Sequence, residues 1–80
     1  MSVPEGWREN DGALERELTF ESFREAVAFV DRLAELAESA NHHPDISLSY
    51  KRVIVRWTSH SDGGITDRDS ELAARTDDLV

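Results

Sequence analysis

The sequence predicts an α+β domain, an antiparallel sheet with two helices packed on one face, in the order β-α-β-β-α. Three observations carry this expectation. Apolar residues recur at three- and four-residue steps over residues 21–40, the period of one helical face. The stretches 14–20, 45–50 and 53–58 alternate with period two, as half-buried strands do. Strands and helices then succeed one another in a pattern whose two helices can cover one sheet face and share a single core.

Each element has its own signal. Residues 1–13 are polar, with Pro4, Gly6 and Gly12, and read as a loose or briefly extended lead-in. Leu14, Leu18 and Phe20 share one parity, and Glu15, Glu17 and Thr19 the other; Arg16 interrupts the apolar face. Phe23, Ala26, Val27, Val30, Leu33, Ala34 and Ala37 mark the first helix. Ser22-Phe23-Arg24-Glu25 fits a capping box at its start. Asn41 can take the left-handed conformation at its end, and Pro44 prevents continuation. Ile46, Leu48 and Tyr50 alternate with Asp45, Ser47 and Ser49, which places Tyr50 in the core. Lys51-Arg52 turns the chain, and Val53, Val55 and Trp57 alternate with Ile54, Arg56 and Thr58. Ser61-Asp62-Gly63-Gly64 is a loop, and Thr66-Asp67-Arg68-Asp69 a second capping box. Leu72, Ala73, Thr76 and Leu79 make a short final helix. The other sheet face and the open edges are candidates for a subunit contact.

Composition narrows the function. Eighty residues make one small domain, and a chain of this size buries only about 60% of its unfolded surface. It has no cysteine, so disulfides cannot supplement the core; assembly into a homodimer or homotetramer can. Seventeen acidic residues against nine basic ones give a net charge of −8, which repels phosphate backbones and argues against nucleic-acid binding. No apolar run is long enough to span a membrane, and the N-terminus lacks the basic-then-apolar order of a signal peptide. A cytoplasmic protein is expected.

The chemistry gathers in Glu38-Ser39-Ala40-Asn41-His42-His43-Pro44-Asp45, where two of the chain's three histidines stand side by side at a helix exit. One reading is structural: histidine at a helix C-terminus caps free carbonyls and complements the negative end of the dipole. A second is a metal site. Adjacent histidines diverge by roughly 100° in a helix and about 180° in a strand, so only a turn could make them converge. The third is acid–base catalysis, because imidazole exchanges protons near neutral pH. His42 and His43 precede the second strand and His60 follows the third, so a hairpin brings all three to one end of the sheet. No serine or cysteine is placed as a nucleophile's partner, which leaves covalent catalysis without support.

These residues also carry a resemblance. Glu38-x-x-x-His42-His43-Pro44, five residues, Tyr50, nine residues, His60, eight residues, Asp69 is similar to the signature of the pterin-4a-carbinolamine dehydratases. Leu18-x-Phe20-x-x-Phe23-x-x-Ala26-x-x-Phe29 and Ser59-His60-x-x-Gly63-Gly64-Ile65-Thr66-x-x-Asp69 resemble that family's strand-to-helix and loop-to-helix patterns. The resemblance implies dehydration of 4a-hydroxytetrahydropterin to quinonoid dihydropterin and water, which recycles the cofactor of pterin-dependent aromatic amino acid hydroxylases. It implies that His42, His43 and His60 are catalytic, that Glu38, Ser59 and Asp69 bind or orient, and that neither metal nor organic cofactor takes part. It implies a homo-oligomer. It also brings an alternative, a non-catalytic interaction module, since some members act as dimerisation or assembly cofactors. Two departures bear on the pocket. Many members carry a helix before the Gly-Trp position, where six residues precede Trp7 here. An aromatic often follows His-His-Pro-x, where this chain has Ile46, so a stacking surface for the pterin ring is absent. Ser59 stands where threonine is common and keeps the hydroxyl.

Overall fold

The computed structural model describes residues 3–80, and of His60 the backbone alone. Its elements are β1 (Arg8–Asn10), β2 (Ala13–Thr19), α1 (Phe23–Ala40), β3 (Asp45–Ser49), β4 (Arg52–Trp57), a single 3-10 turn (His60–Asp62) and α2 (Asp67–Asp77). The four strands form one antiparallel sheet in the order β1-β2-β4-β3. This is the expected α+β arrangement with one short strand added in front.

The period-two pattern delivers one face of the sheet to the helices. Leu14 and Leu18 of β2 and Val53, Val55 and Trp57 of β4 are buried against Ala26, Phe29, Leu33 and Ala37 of α1 and Leu72 and Ala73 of α2. Arg16, the interruption on that face, finds a partner at the end of α2: its guanidinium pairs with Asp77 Oδ1 at 2.5 Å. Trp7 is buried on the same core and donates its indole N–H to Asp77 at 3.0 Å.

The opposite face is mainly polar and carries a tightly paired cluster around Glu15. Glu15 is only 6% exposed, yet it ion-pairs with Arg8 and with Arg56, the latter at 2.7 Å, and accepts from Asn10 Nδ2 at 3.3 Å. The hydrogen bond from Arg8 leads in holding the Glu15 carboxyl below its ordinary range; with those from Asn10 and Arg56 it outweighs the loss of hydration.

Several details differ from the sequence expectations. The lead-in is a tight hairpin: Asp11 and Gly12, at φ 56° and 79°, turn the chain between Asn10 and Ala13, which pair. Residues 1–2 of the lead-in lie outside the described residues. The β3–β4 turn falls one residue early, on Tyr50-Lys51, because Ser49 pairs with Arg52. Tyr50 is therefore not in the core. It sits in the turn at φ 54° and is 68% exposed, with the Lys51 ammonium 5.2 Å from its ring centre. At the start of α1, Ser22 Oγ accepts from Glu25 N at 3.1 Å as expected, but the Glu25 carboxylate answers Glu21 N rather than Ser22 N. Leu79 packs on the core from beyond the end of α2. Among the described residues, no helix is long and apolar enough to cross a membrane.

Candidate active site

The exit of α1 sets the first histidine. Asn41 takes φ 52°, ψ 42°, the left-handed conformation that lets the chain leave a helix. The Asn41 N–H then bonds the Glu38 carbonyl at 3.3 Å, and the His42 N–H bonds the Ala37 carbonyl at 3.2 Å. This pair of bonds is the Schellman closure, and it ties the His42 backbone to the last turn of α1. Arg68, from the first turn of α2, adds donors to the carbonyls of Ala40 and Asn41. The negative end of α1 is thus capped by an arginine, and His42 is free for other work.

The second wall comes from the segment after β4. Ser59 and Gly64 pair as a two-way bridge, Ser59 N to Gly64 O at 3.0 Å and Gly64 N to Ser59 O at 3.1 Å, which closes the loop between them. Gly63 and Gly64 have φ 85° and 136°, backbone that a side chain would strain. The closed loop delivers Thr66 as the N-cap of α2 and Asp69 in its first turn.

Asp69 joins the two walls. Its side chain is fully buried. Oδ2 accepts from Thr66 N at 2.9 Å and from Ser59 Oγ at 2.8 Å, with Thr66 Oγ1 at 3.3 Å. Oδ1 meets His42 Nε2 at 2.6 Å. Burial opposes ionisation of this carboxyl, but the hydrogen bonds from His42, the Thr66 N–H and Ser59 together hold it below its ordinary range. An ionised carboxylate only accepts, so His42 Nε2 carries the proton in this contact.

The other expected residues fall into two groups. His43 Nε2 pairs with Glu38 Oε2 at 2.5 Å, but the two side chains are 59% and 76% exposed, so the pair stands in solvent beside the part-buried His42–Asp69 pair. His60 directly follows Ser59 and opens the 3-10 turn. Its side chain, expected as the third catalytic imidazole, lies outside the described residues. The structure therefore brings His42, Ser59 and Asp69 together and places His43 with Glu38. Thr66 belongs to the same network, although the sequence marked it only as a helix cap; its three-residue spacing from Asp69 was the signal. Among the described residues, no group of three or more histidines and carboxylates is gathered to hold a metal ion.

The α+β domain thus holds an imidazole by a buried carboxylate at one end of its sheet. The family model described as pterin 4 alpha carbinolamine dehydratase matches residues 1–79, and the chain belongs to that family. A relative from Thermomicrobium roseum, provisionally named a pterin-4-alpha-carbinolamine dehydratase, is 53% identical over 94% of this chain and 81% of its own. One of the same provisional name from Halobacterium salinarum is 45% identical over 95% and 84%. A crystal structure titled transcriptional coactivator/pterin dehydratase, from Brucella melitensis, is similar at a TM-score of 0.88 with 32% identity, covering 94% of this chain and 82% of that one. A second solved structure, a pterin dehydratase-like protein described as a RuBisCO assembly factor in the alpha-carboxysome, has a TM-score of 0.78 and 27% identity, over 98% and 93%.

Proposed function

We propose that this protein dehydrates 4a-hydroxytetrahydropterin. The reaction removes the hydroxyl from C4a and the proton from N5, forms the C4a=N5 bond, and releases water and quinonoid dihydropterin. One group must protonate the departing oxygen and another must accept the N5 proton. The observation that supports this reading is the His42–Asp69 contact at 2.6 Å. On this reading Nε2 of His42 is committed to Asp69 and Nδ1 serves as the proton-exchanging atom. His43, more exposed and oriented by Glu38, is the second proton carrier, and His60 is the third. Ser59 and Asp69 orient His42, and none of these steps calls on a metal or organic cofactor. The reading places the protein in the cytoplasm, beside a pterin-dependent hydroxylase whose product it consumes.

Replacing His42 with alanine tests this directly. Turnover, corrected for the spontaneous reaction, falls on the order of 10²–10⁴-fold while circular dichroism still reports a folded chain. Near-parental turnover in the folded variant would refute the assignment. A second reading, an interaction module, is favoured by the likeness to the RuBisCO assembly factor. On that reading the His42 variant keeps its partner-binding and loses nothing that matters to it. We also propose a homodimer or homotetramer, because the edge strand β3 leaves Ile46 and Leu48 more than a third exposed beside Tyr50.

A further inference from the structure

Trp57 is the last residue of β4, fully buried, and its parity points it toward the helices. Its ring lies almost parallel to the His42 imidazole, with centroids 5.7 Å apart and planes 18° from one another. That is the separation of an offset stack. The indole is itself fixed. Its N–H donates to Thr76 Oγ1 at 3.0 Å, and the Thr76 hydroxyl donates to the Leu72 carbonyl at 2.7 Å. Thr76 is fully buried on the apolar side of α2, where an aliphatic residue would pack with no polar atom to satisfy. Its hydroxyl completes a chain from the α2 backbone through the indole to the face of His42.

From this arrangement we infer that Trp57, locked by Thr76, is a positioning residue that sets the plane of the His42 ring. The need for one follows from the geometry of the Asp69 contact. Asp69 Oδ1 at 2.6 Å and Ser59 Oγ at 3.4 Å hold the Nε2 edge of the imidazole, but contacts at one edge do not fix the plane of a ring that turns about its Cβ–Cγ bond. The ring torsion of histidine is broad and offers little resistance of its own. Swinging moves Nδ1, the atom that must meet the ligand. The His42 backbone is anchored by the Ala37 carbonyl and its ring edge by Asp69; the indole supplies the remaining constraint, a flat surface against one face. Proton transfer is sensitive to such alignment, and displacement of a reacting group by about 1 Å can cost on the order of 100-fold. The kinetic part of the inference rests on the dehydratase reading; the geometric part does not.

Two substitutions separate the aromatic face from bulk. Trp57→Phe keeps a flat surface without the N–H, and Trp57→Leu keeps apolar volume without the surface. Trp57→Leu lowers kcat roughly 10- to 100-fold with KM little changed, and Trp57→Phe restores part of that loss, since it keeps the flat surface but not the Thr76 bond that locks it. In proton NMR, the His42 ring protons of the parent are shifted by the indole ring current, and the shift collapses in Trp57→Leu. Should Trp57→Leu not fold, Thr76→Val gives the same reading: it keeps the shape of α2, frees the indole, and lowers kcat and the ring-current shift together. Turnover that follows melting temperature across the variants, with Leu and Phe alike, would overturn the positioning role. So would a parent whose His42 protons show no ring-current shift. A parent that turns over no faster than the spontaneous reaction refutes the dehydratase reading and the kinetic claim with it. The ring-current shift then decides the platform by itself.

Discussion

Asp69→Asn is the substitution that best separates fold from chemistry, because the two oxygens of Asp69 serve different partners. Asparagine is nearly isosteric and keeps one oxygen. That oxygen is held where Oδ2 was, by Thr66 N–H at 2.9 Å and Ser59 Oγ at 2.8 Å, since both are donors. The amide NH2 then faces His42 Nε2, where the carboxylate had accepted at 2.6 Å. Two donors cannot share that contact, so His42 moves its proton to Nδ1 and presents the wrong tautomer to the ligand. The stability lost is about one charge-assisted hydrogen bond, roughly 1.5–3 kcal/mol, and each kcal/mol lowers the melting temperature of a domain this size by about 4–8 °C. The rate lost is that of a disabled general acid or base, on the order of 10²–10⁴, or roughly 3–5 kcal/mol of barrier. Stopped-flow absorbance of product formation, less the spontaneous rate, measures the second effect, and thermal melting by circular dichroism the first. The pH dependence has a definite sign. The Asp69 carboxyl lies below its ordinary range when folded, so its stabilisation is complete above the unfolded value, about 3.9, and is lost as pH falls through the lower folded one. Asparagine removes that acid-sensitive part. A folded Asp69→Asn protein with parental turnover would refute the chain of reasoning from Oδ1 to His42.

Other expectations follow from the same structure. Glu15→Gln breaks the pairing with Arg8 and Arg56 on the open sheet face. Because the Glu15 carboxyl is also held low, urea unfolding shows the variant weaker at neutral pH, with the gap closing as pH falls below about 4; a gap independent of pH would contradict the ion-pair account. Turnover of that variant stays parental, since Glu15 faces away from His42. Dialysis against a chelator leaves activity unchanged, and activity lost and then restored by zinc would overturn the metal-free mechanism. Light scattering at micromolar concentration reports a dimer or tetramer; a species of only 9.0 kDa would remove the proposal of assembly.

The sequence disclosed what depends on local periodicity and capping. Phe23, Ala26, Val27, Val30, Leu33, Ala34 and Ala37 of α1 recur at three- and four-residue steps, although Phe23 and Ala34 are exposed and the buried Phe29 lay outside that pattern; with Asn41 and then Pro44 marking an exit, the location of His42 at the sheet end was legible. The Thr66–Asp69 box was legible for the same reason: cap and partner are three residues apart. Contacts between distant segments carry no such period. Nothing in the spacing of His42, Trp57 and Asp69 shows that the imidazole lies between an indole and a carboxylate. β1 was missed for a different reason. Arg8-Glu9-Asn10 has no apolar alternation, because its partner on the sheet face is the Glu15 carboxylate rather than a hydrophobic core. The Asp11-Gly12 dipeptide, a strong hairpin signal, was there to be read. Tyr50 was misplaced because it continues the parity of Ile46 and Leu48, and alternation does not show where a strand stops and a left-handed turn residue begins.

The cost of burying Asp69 bears on the choice between an enzyme and an interaction module. As a helix cap, this position needs only an oxygen to receive the Thr66 N–H, and asparagine or serine can offer one without a buried charge. An ionised carboxylate with no solvent exposure is expensive unless every lone pair finds a donor. Here Thr66 and Ser59 serve Oδ2, and it is His42 that serves Oδ1. The second oxygen therefore does nothing for the cap; what it adds is the contact with His42 Nε2. A scaffold that only displays a surface has no need of that expense, and it would tolerate Asp69→Asn with its assembly intact. An acid–base site requires the contact, and the same substitution disables it. Measuring partner assembly and turnover on that one variant sets the two readings against each other on a single atom.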